Sequence, residues 1–220
     1  IGVNVADKYN KTVAIFNLEM SREQLAMRML ANKSYVEMQK LSTGKLSEDE
    51  WNKICMGASD LGRMDIRIDD NPLLTVADMN AKCRRLDDLG LVVIDYLQLM
   101  SSTKNYNGNR VVEISDITRN LKIMAKELNV PVITLSQLAR GPEQRPDKRP
   151  MLSDLRESGS IEQDADIVMF LYRDAYYNKD SPTPNISECI VAKNRHGETS
   201  TVPLGWDGAH TRFMDVDFKR

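Results

Sequence analysis

Leu91-Val92-Val93-Ile94-Asp95 is four apolar residues running without interruption into an acid. A strand with one wet face alternates apolar and polar side chains, so an unbroken run points to a strand covered on both faces, as in a parallel sheet flanked by helices. Such sheets bind ligands outside the carboxyl ends of their strands, the end at which Asp95 sits. Upstream, Val13 to Phe16 is a second short apolar run with Glu19 just beyond it, and downstream the run from Pro131 to Ser136 ends beside Gln137. Helical signals separate these runs. Capping boxes begin at Ser21 and Ser47, the second helix ending near Gly62. Thr75 to Asp78 opens another helix with the stripe Val76, Met79, Cys83 and Leu86, and Ile114, Ile117, Leu121, Met124 and Leu128 mark one more. Two segments read as loops, a polar one from Ser101 to Arg110 expected to be mobile, and a long basic one from Leu138 to Ser160. Apolar runs at 167–172, 186–192 and 199–204 then follow. The order predicts an α/β fold: a mostly parallel sheet flanked by helices, with antiparallel strands at one edge.

Composition narrows the function classes. The 220 residues suit one domain, and 41% hydrophobic against 28% charged residues is an ordinary globular balance. No run approaches the roughly eighteen apolar residues of a bilayer span and no basic-then-apolar leader opens the chain, so a soluble, cytoplasmic protein with no membrane contact is expected. Thirty basic and 32 acidic residues leave a net charge of -2, so any contact with nucleic acid must be local. Cys55, Cys83 and Cys189 are scattered and odd in number, which favours buried free thiols over a disulfide framework or zinc site. His196 and His210 are too separated to suggest a metal site.

Three polar residues end three different buried runs. Asp95 is placed as nucleotide hydrolases place the carboxylate that faces a phosphate-bound magnesium ion. Glu19 could orient water for in-line attack, although a carboxylate near a helix N-terminus is also favourable by about 0.3–1 kcal/mol with no catalytic role. Gln137 offers an amide donor and acceptor, and alone would be a satisfied loop residue. A parallel sheet brings such strand ends together, so the three weigh more jointly than singly.

The stretch N-L-E-M-S-R-E-Q-L-A-M-R-M from Asn17, V-I-D-Y-L-Q-L from Val93, V-P-V-I-T-L-S-Q-L from Val130, S-D-L-R-E-S-G-S-I-E-Q-D-A-D from Ser153 and A-K-N-R-H-G ending at Gly197 together resemble bacterial replicative helicases of the DnaB family. The resemblance covers almost the whole chain. It implies a single RecA-like motor domain over residues 1–220, an ATP- and Mg2+-dependent DNA helicase that moves along single-stranded DNA as a homohexamer at the replication fork, with primase and a helicase loader as partners of the full-length protein. Glu19 then resembles the catalytic glutamate, Asp95 the Walker B aspartate that holds Mg2+ through water, and Gln137 the glutamine that senses the γ-phosphate. Lys193 and Arg195 resemble the pair one subunit inserts into its neighbour's site, and Arg28 the arginine that packs on the nucleotide base. Arg156, Glu157 and Gly159 match the family's DNA-binding loop, where lysines and arginines give sequence-independent attraction. The alternatives are another RecA-fold ATPase of the recombination or clock type, and a fragment that binds DNA or a loader without hydrolysis.

The phosphate-binding pattern G-x-x-x-x-G-K-[ST] does not occur in the sequence. The resemblance places it upstream of the helix that Ile1 to Ala6 finishes, so the chain is expected to be cut on its N-terminal side, without that loop or the family's N-terminal domain, and to be inactive alone. The Arg85–Leu89 junction is short for the family and is expected to mark a second omission.

Overall fold

The computed structural model describes residues 1–155 and 159–216. The chain divides into two compact units, Ile1–Gln137 and Leu138–Arg220. In the first unit, α1 (Gly2–Tyr9) precedes β1 (Thr12–Asn17), and α2 (Arg22–Ser34), α3 (Met38–Thr43) and α4 (Glu48–Gly62) lead to β2 (Ile66–Asp69). Then come α5 (Val76–Cys83), β3 (Leu89–Asp95), a 3-10 turn (Leu97–Leu99), α6 (Arg110–Leu128) and β4 (Val132–Thr134). The four strands form a parallel sheet in the order β2-β1-β3-β4. From β1 the chain moves outward to β2, then returns across β1 to β3. The sheet order therefore reverses between β1 and β3, where open α/β sheets place their ligand crevice.

Burial follows from the unbroken apolar runs. All six residues of β1 are buried, and so are Leu91, Val92 and Ile94 of β3. Val13, Ile15 and Leu91 pack with Ala6 of α1 and with Leu25 and Met29 of α2. Strand alternation turns Ala14, Phe16, Val92 and Ile94 to the opposite face, where they are equally sequestered. The capping boxes at Ser21, Ser47 and Thr75 are all formed, each hydroxyl accepting the backbone N–H three residues on while that residue's side chain returns a bond.

Several boundaries differ from the sequence expectation. β2 was not foreseen, because Ile66-Arg67-Ile68 is a short alternating run rather than a continuous one. α5 stops at Cys83, before Leu86. The junction after it is a closed turn, in which the Thr12 N–H donates to the Asp88 carbonyl at 3.1 Å and the Thr12 hydroxyl to the Asp87 carbonyl at 2.7 Å. The polar segment expected to be mobile is tied to α6: the Ser102 N–H donates to Glu113 (3.0 Å), and Ser102 Oγ and Lys104 Nζ donate to Asp116 (2.8 and 3.0 Å). Of the three free thiols only Cys83 is buried, while Cys55 is exposed and Cys189 intermediate.

In the second unit, α7 (Gly141–Gln144) and a 3-10 turn (Leu152–Asp154) lie within the stretch read as a loop, and α8 (Gly159–Asp164) follows. β5 (Ile167–Tyr172), α9 (Asp174–Tyr177), β6 (Ile186–Asn194), β7 (Ser200–Asp207) and β8 (Arg212–Met214) complete it. The strands form their own antiparallel sheet in the order β5-β6-β7-β8. Leu155, Val168 and Phe170 make its core against Ile161, Ile190 and Ala192. The stretch from Leu138 is ordered by a buried carboxylate: Asp154 accepts two bonds from Arg145 (2.8 and 2.6 Å) and one from the Met151 N–H (2.8 Å). The Arg145 guanidinium holds the Asp154 carboxyl below the usual carboxylate range.

Candidate active site

β1 and β3 end level with each other, because their register pairs Asn17 with Asp95. Past that pair the Leu18 N–H donates to the Asp95 carbonyl at 2.7 Å, so the two chains stay together to the sheet edge. Asn17, 1% exposed, then uses its side-chain oxygen to accept the N–H groups of Glu19 (3.2 Å) and Met20 (3.0 Å). This bends the chain and leaves Glu19 exposed at the tip, just before the capped start of α2. An asparagine suits the task because its short amide bonds to backbone two and three residues on.

Electrostatics show that three of the candidates share one locale. Burial raises the Asp95 carboxyl above its ordinary value, the negative charge of Glu19 raises it further, and Arg28 on α2 partly offsets both. Two carboxylates and one guanidinium thus act on each other at the β1/β3 reversal. Among the described residues no group of three or more His, Cys, Asp or Glu side chains is arranged to hold a metal ion. The arrangement nevertheless fits Mg2+, which is commonly held by one or two carboxylates together with water and substrate phosphates. A half-buried aspartate whose charge is disfavoured by its surroundings gains from such a cation.

Gln137 lies one strand over. β3 and β4 pair through Ile94 and Thr134, and the Leu135 N–H donates to Ile94 while the Leu97 N–H donates to Leu135, both at 2.9 Å. Gln137 is exposed, and its backbone is held by Gln98, which follows Asp95 by three positions. Gln98 carries little sequence signal because its partner is 39 residues away; locally it is only a polar residue between leucines in Tyr96-Leu97-Gln98-Leu99.

The remaining candidates belong to the second unit. Lys193 in β6 donates to the carbonyls of Ala165 (2.8 Å) and Glu162. Arg195 donates to the Gln163 carbonyl at 3.1 Å and lies 3.4 Å from Asp166. Within one chain, then, both cations sit on the C-terminal end of α8, where the helix dipole favours positive charge. Gly159 opens that helix with nothing near the position a Cβ would occupy. Arg156 and Glu157 lie outside the described residues. A separate cavity of about 330 Å³ in this unit is lined by residues including Lys148, Tyr172, Arg173, Tyr177 and Trp206, and by none of the candidate residues.

Residues 1–215 match the profile of a family described as the DnaB-like helicase C terminal domain. A relative named replicative DNA helicase DnaB, from Geobacillus stearothermophilus, is 54% identical over 99% of this chain and 48% of its own length. A solved structure described as an ATPase domain superposes with a TM-score of 0.93 at 41% identity, over 98% of this chain and 78% of that one. A DnaB-like replicative helicase whose structure was described together with its interactions with primase gives a TM-score of 0.91 at 41% identity, over 96% of this chain and 53% of that one. The chain spans about half the length of the curated relatives it matches.

Proposed function

Because the chain belongs to the DnaB-like helicase C-terminal domain family, we propose that it is the motor portion of a replicative DNA helicase, converting ATP hydrolysis into movement along single-stranded DNA and strand separation. The observation that carries this is that β1 and β3 end level at Asn17 and Asp95, with Glu19 two residues past β1 and the charges of Glu19 and Arg28 both acting on Asp95. Asp95 is the residue that would hold Mg2+, which would supply positive charge against the phosphates. Glu19 takes a hydrogen bond from the attacking water and aims it at the terminal phosphorus. Arg28 lies against the base, and Gln137 responds to the γ-phosphate. Lys193 and Arg195 act from an adjacent subunit of a homohexamer, where a trans arginine is worth about 10³ to 10⁵ in rate. The loop of Arg156, Glu157 and Gly159 holds the DNA backbone, Arg156 and Gly159 toward the phosphates and Glu157 by pairing with the loop arginine of a neighbouring subunit.

The same family membership supports work at the replication fork in the cytoplasm, beside primase and a loader engaged by the full-length protein. No helix among the described residues is long and apolar enough to cross a membrane. The 220 residues carry no G-x-x-x-x-G-K-[ST] cradle, so turnover is assigned to a full-length protein bearing this sequence, and the isolated chain is expected to hydrolyse no ATP.

The test is Glu19→Gln in that full-length protein. Removing the water-orienting carboxylate while leaving the phosphate contacts is expected to preserve ATP affinity and to lower kcat by at least about 10²-fold, at the lower end of what a positioned acid–base group contributes. ATP hydrolysis at the wild-type rate would contradict the assignment.

A further inference from the structure

The side chain of Gln98 spans from the turn after Asp95 to the tip of β4. Its Oε1 accepts the Gln137 N–H at 3.0 Å, and its Nε2 donates to Ser136 Oγ at 2.9 Å and to the Gln137 carbonyl at 3.3 Å. One planar amide therefore holds both backbone polar groups of Gln137. The turn that carries Gln98 is fixed in its own right. Arg110 Nη2 donates to the carbonyls of Gln98 (2.9 Å) and Met100 (3.0 Å), and Arg110 Nη1 pairs with Glu113 at 2.7 Å. Arg110 begins α6, whose Ile114, Ile117 and Leu121 are buried. A rigid path thus runs from a core helix through Arg110 and Gln98 to the backbone of Gln137.

We infer that Gln98 is a positioning residue that sets the backbone of Gln137 and ties it to the turn following Asp95, an inference resting on the hydrolytic reading of Gln137 above. Glutamine is suited to this place because the site asks for an acceptor and a donor from one side chain. Glutamate keeps the acceptor for the Gln137 N–H but turns a second oxygen toward the Gln137 carbonyl. Asparagine is shorter by a methylene.

The experiment is a double-mutant cycle in the full-length protein, using Gln98→Ala, Gln137→Ala and their combination, with ATP hydrolysis, nucleotide affinity and thermal melting measured on each. Misplacing a reacting group by about 1 Å costs up to about 10²-fold, so Gln98→Ala is expected to lower kcat between about 10- and 100-fold with nucleotide Kd unchanged. In the Gln137→Ala background the same substitution is expected to add nothing further, since it acts through Gln137. Gln98→Glu is expected to retain an intermediate kcat through its remaining bond, which separates positioning from general loss of fold. An unchanged kcat in Gln98→Ala, equal losses in both backgrounds, or a Gln98→Glu protein as slow as the alanine variant would each overturn the inference. Wild-type hydrolysis by Gln137→Ala would instead remove the hydrolytic reading of Gln137, and the inference with it.

Discussion

Asp95 carries its charge where its surroundings oppose it, with partial burial and the Glu19 carboxylate both favouring the protonated acid. A folded-state pKa above the unfolded value means that protonation stabilises the fold at low pH and that this contribution is lost as pH rises through the folded value. At neutral pH the nucleotide-free protein therefore bears a penalty that Asp95→Asn removes. The variant is expected to melt a few degrees above wild type at pH 7, with the difference shrinking as pH falls through the carboxylate range; thermal scans at several pH values without Mg2+ measure this. A variant that melts below wild type at pH 7 would show that the Asp95 charge is favourably paired. Glu19 and Asp95 were legible in the sequence because each follows a buried run, so local pattern alone places them at strand ends. Gln98 was not, since what matters about it is a partner on another strand. Cys83 shows the same limit in milder form: burial pushes its thiol up to about 11, while Cys55, equally apolar in type, faces solvent.

Among the elements, the helix starts were the clearest. A capping box is written in four consecutive residues, and Ser21, Ser47 and Thr75 each open a helix where expected. At α4, Ser47 accepts the Glu50 N–H at 3.3 Å while Glu50 accepts the Ser47 N–H at 2.9 Å and pairs with Lys40 at 2.7 Å. Those bonds, led by Lys40, bring the Glu50 carboxyl down to about 2. Ser47→Ala is expected to cost about 0.5–2 kcal/mol in urea unfolding, the usual loss for an N-cap hydroxyl, and an unchanged midpoint would mean the cap contributes nothing there. β2 is faint in the sequence for the opposite reason. It occupies the edge of the parallel sheet and needs only Ile66 and Ile68 half-buried, so its pattern is weak. The basic stretch after Gln137 stays largely irregular, but composition does not show that Arg145 pairs there with the buried Asp154.

For the whole molecule, the alternation of helices and buried strands followed by strands alone is enough to give a parallel sheet flanked by helices with antiparallel strands after it. It does not show that those strands, expected at one edge of the same sheet, form a sheet and a compact unit of their own. Nor does it show the strand order β2-β1-β3-β4, although that order is what brings Glu19 and Asp95 to the reversal point. Order depends on which apolar faces pair across the chain, and no single run encodes that. On the proposed function, hydrolysis needs Glu19 from one subunit and Arg195 from the next. Full-length Glu19→Gln and Arg195→Ala proteins, each unable to hydrolyse ATP, can be co-expressed so that mixed rings form, and the ATPase rate of those rings measured. Wherever an intact Glu19 meets an intact Arg195 across a subunit boundary a complete site is rebuilt, so the mixture is expected to recover part of the wild-type rate. Mixed rings as inactive as either parent would contradict a site shared between neighbours.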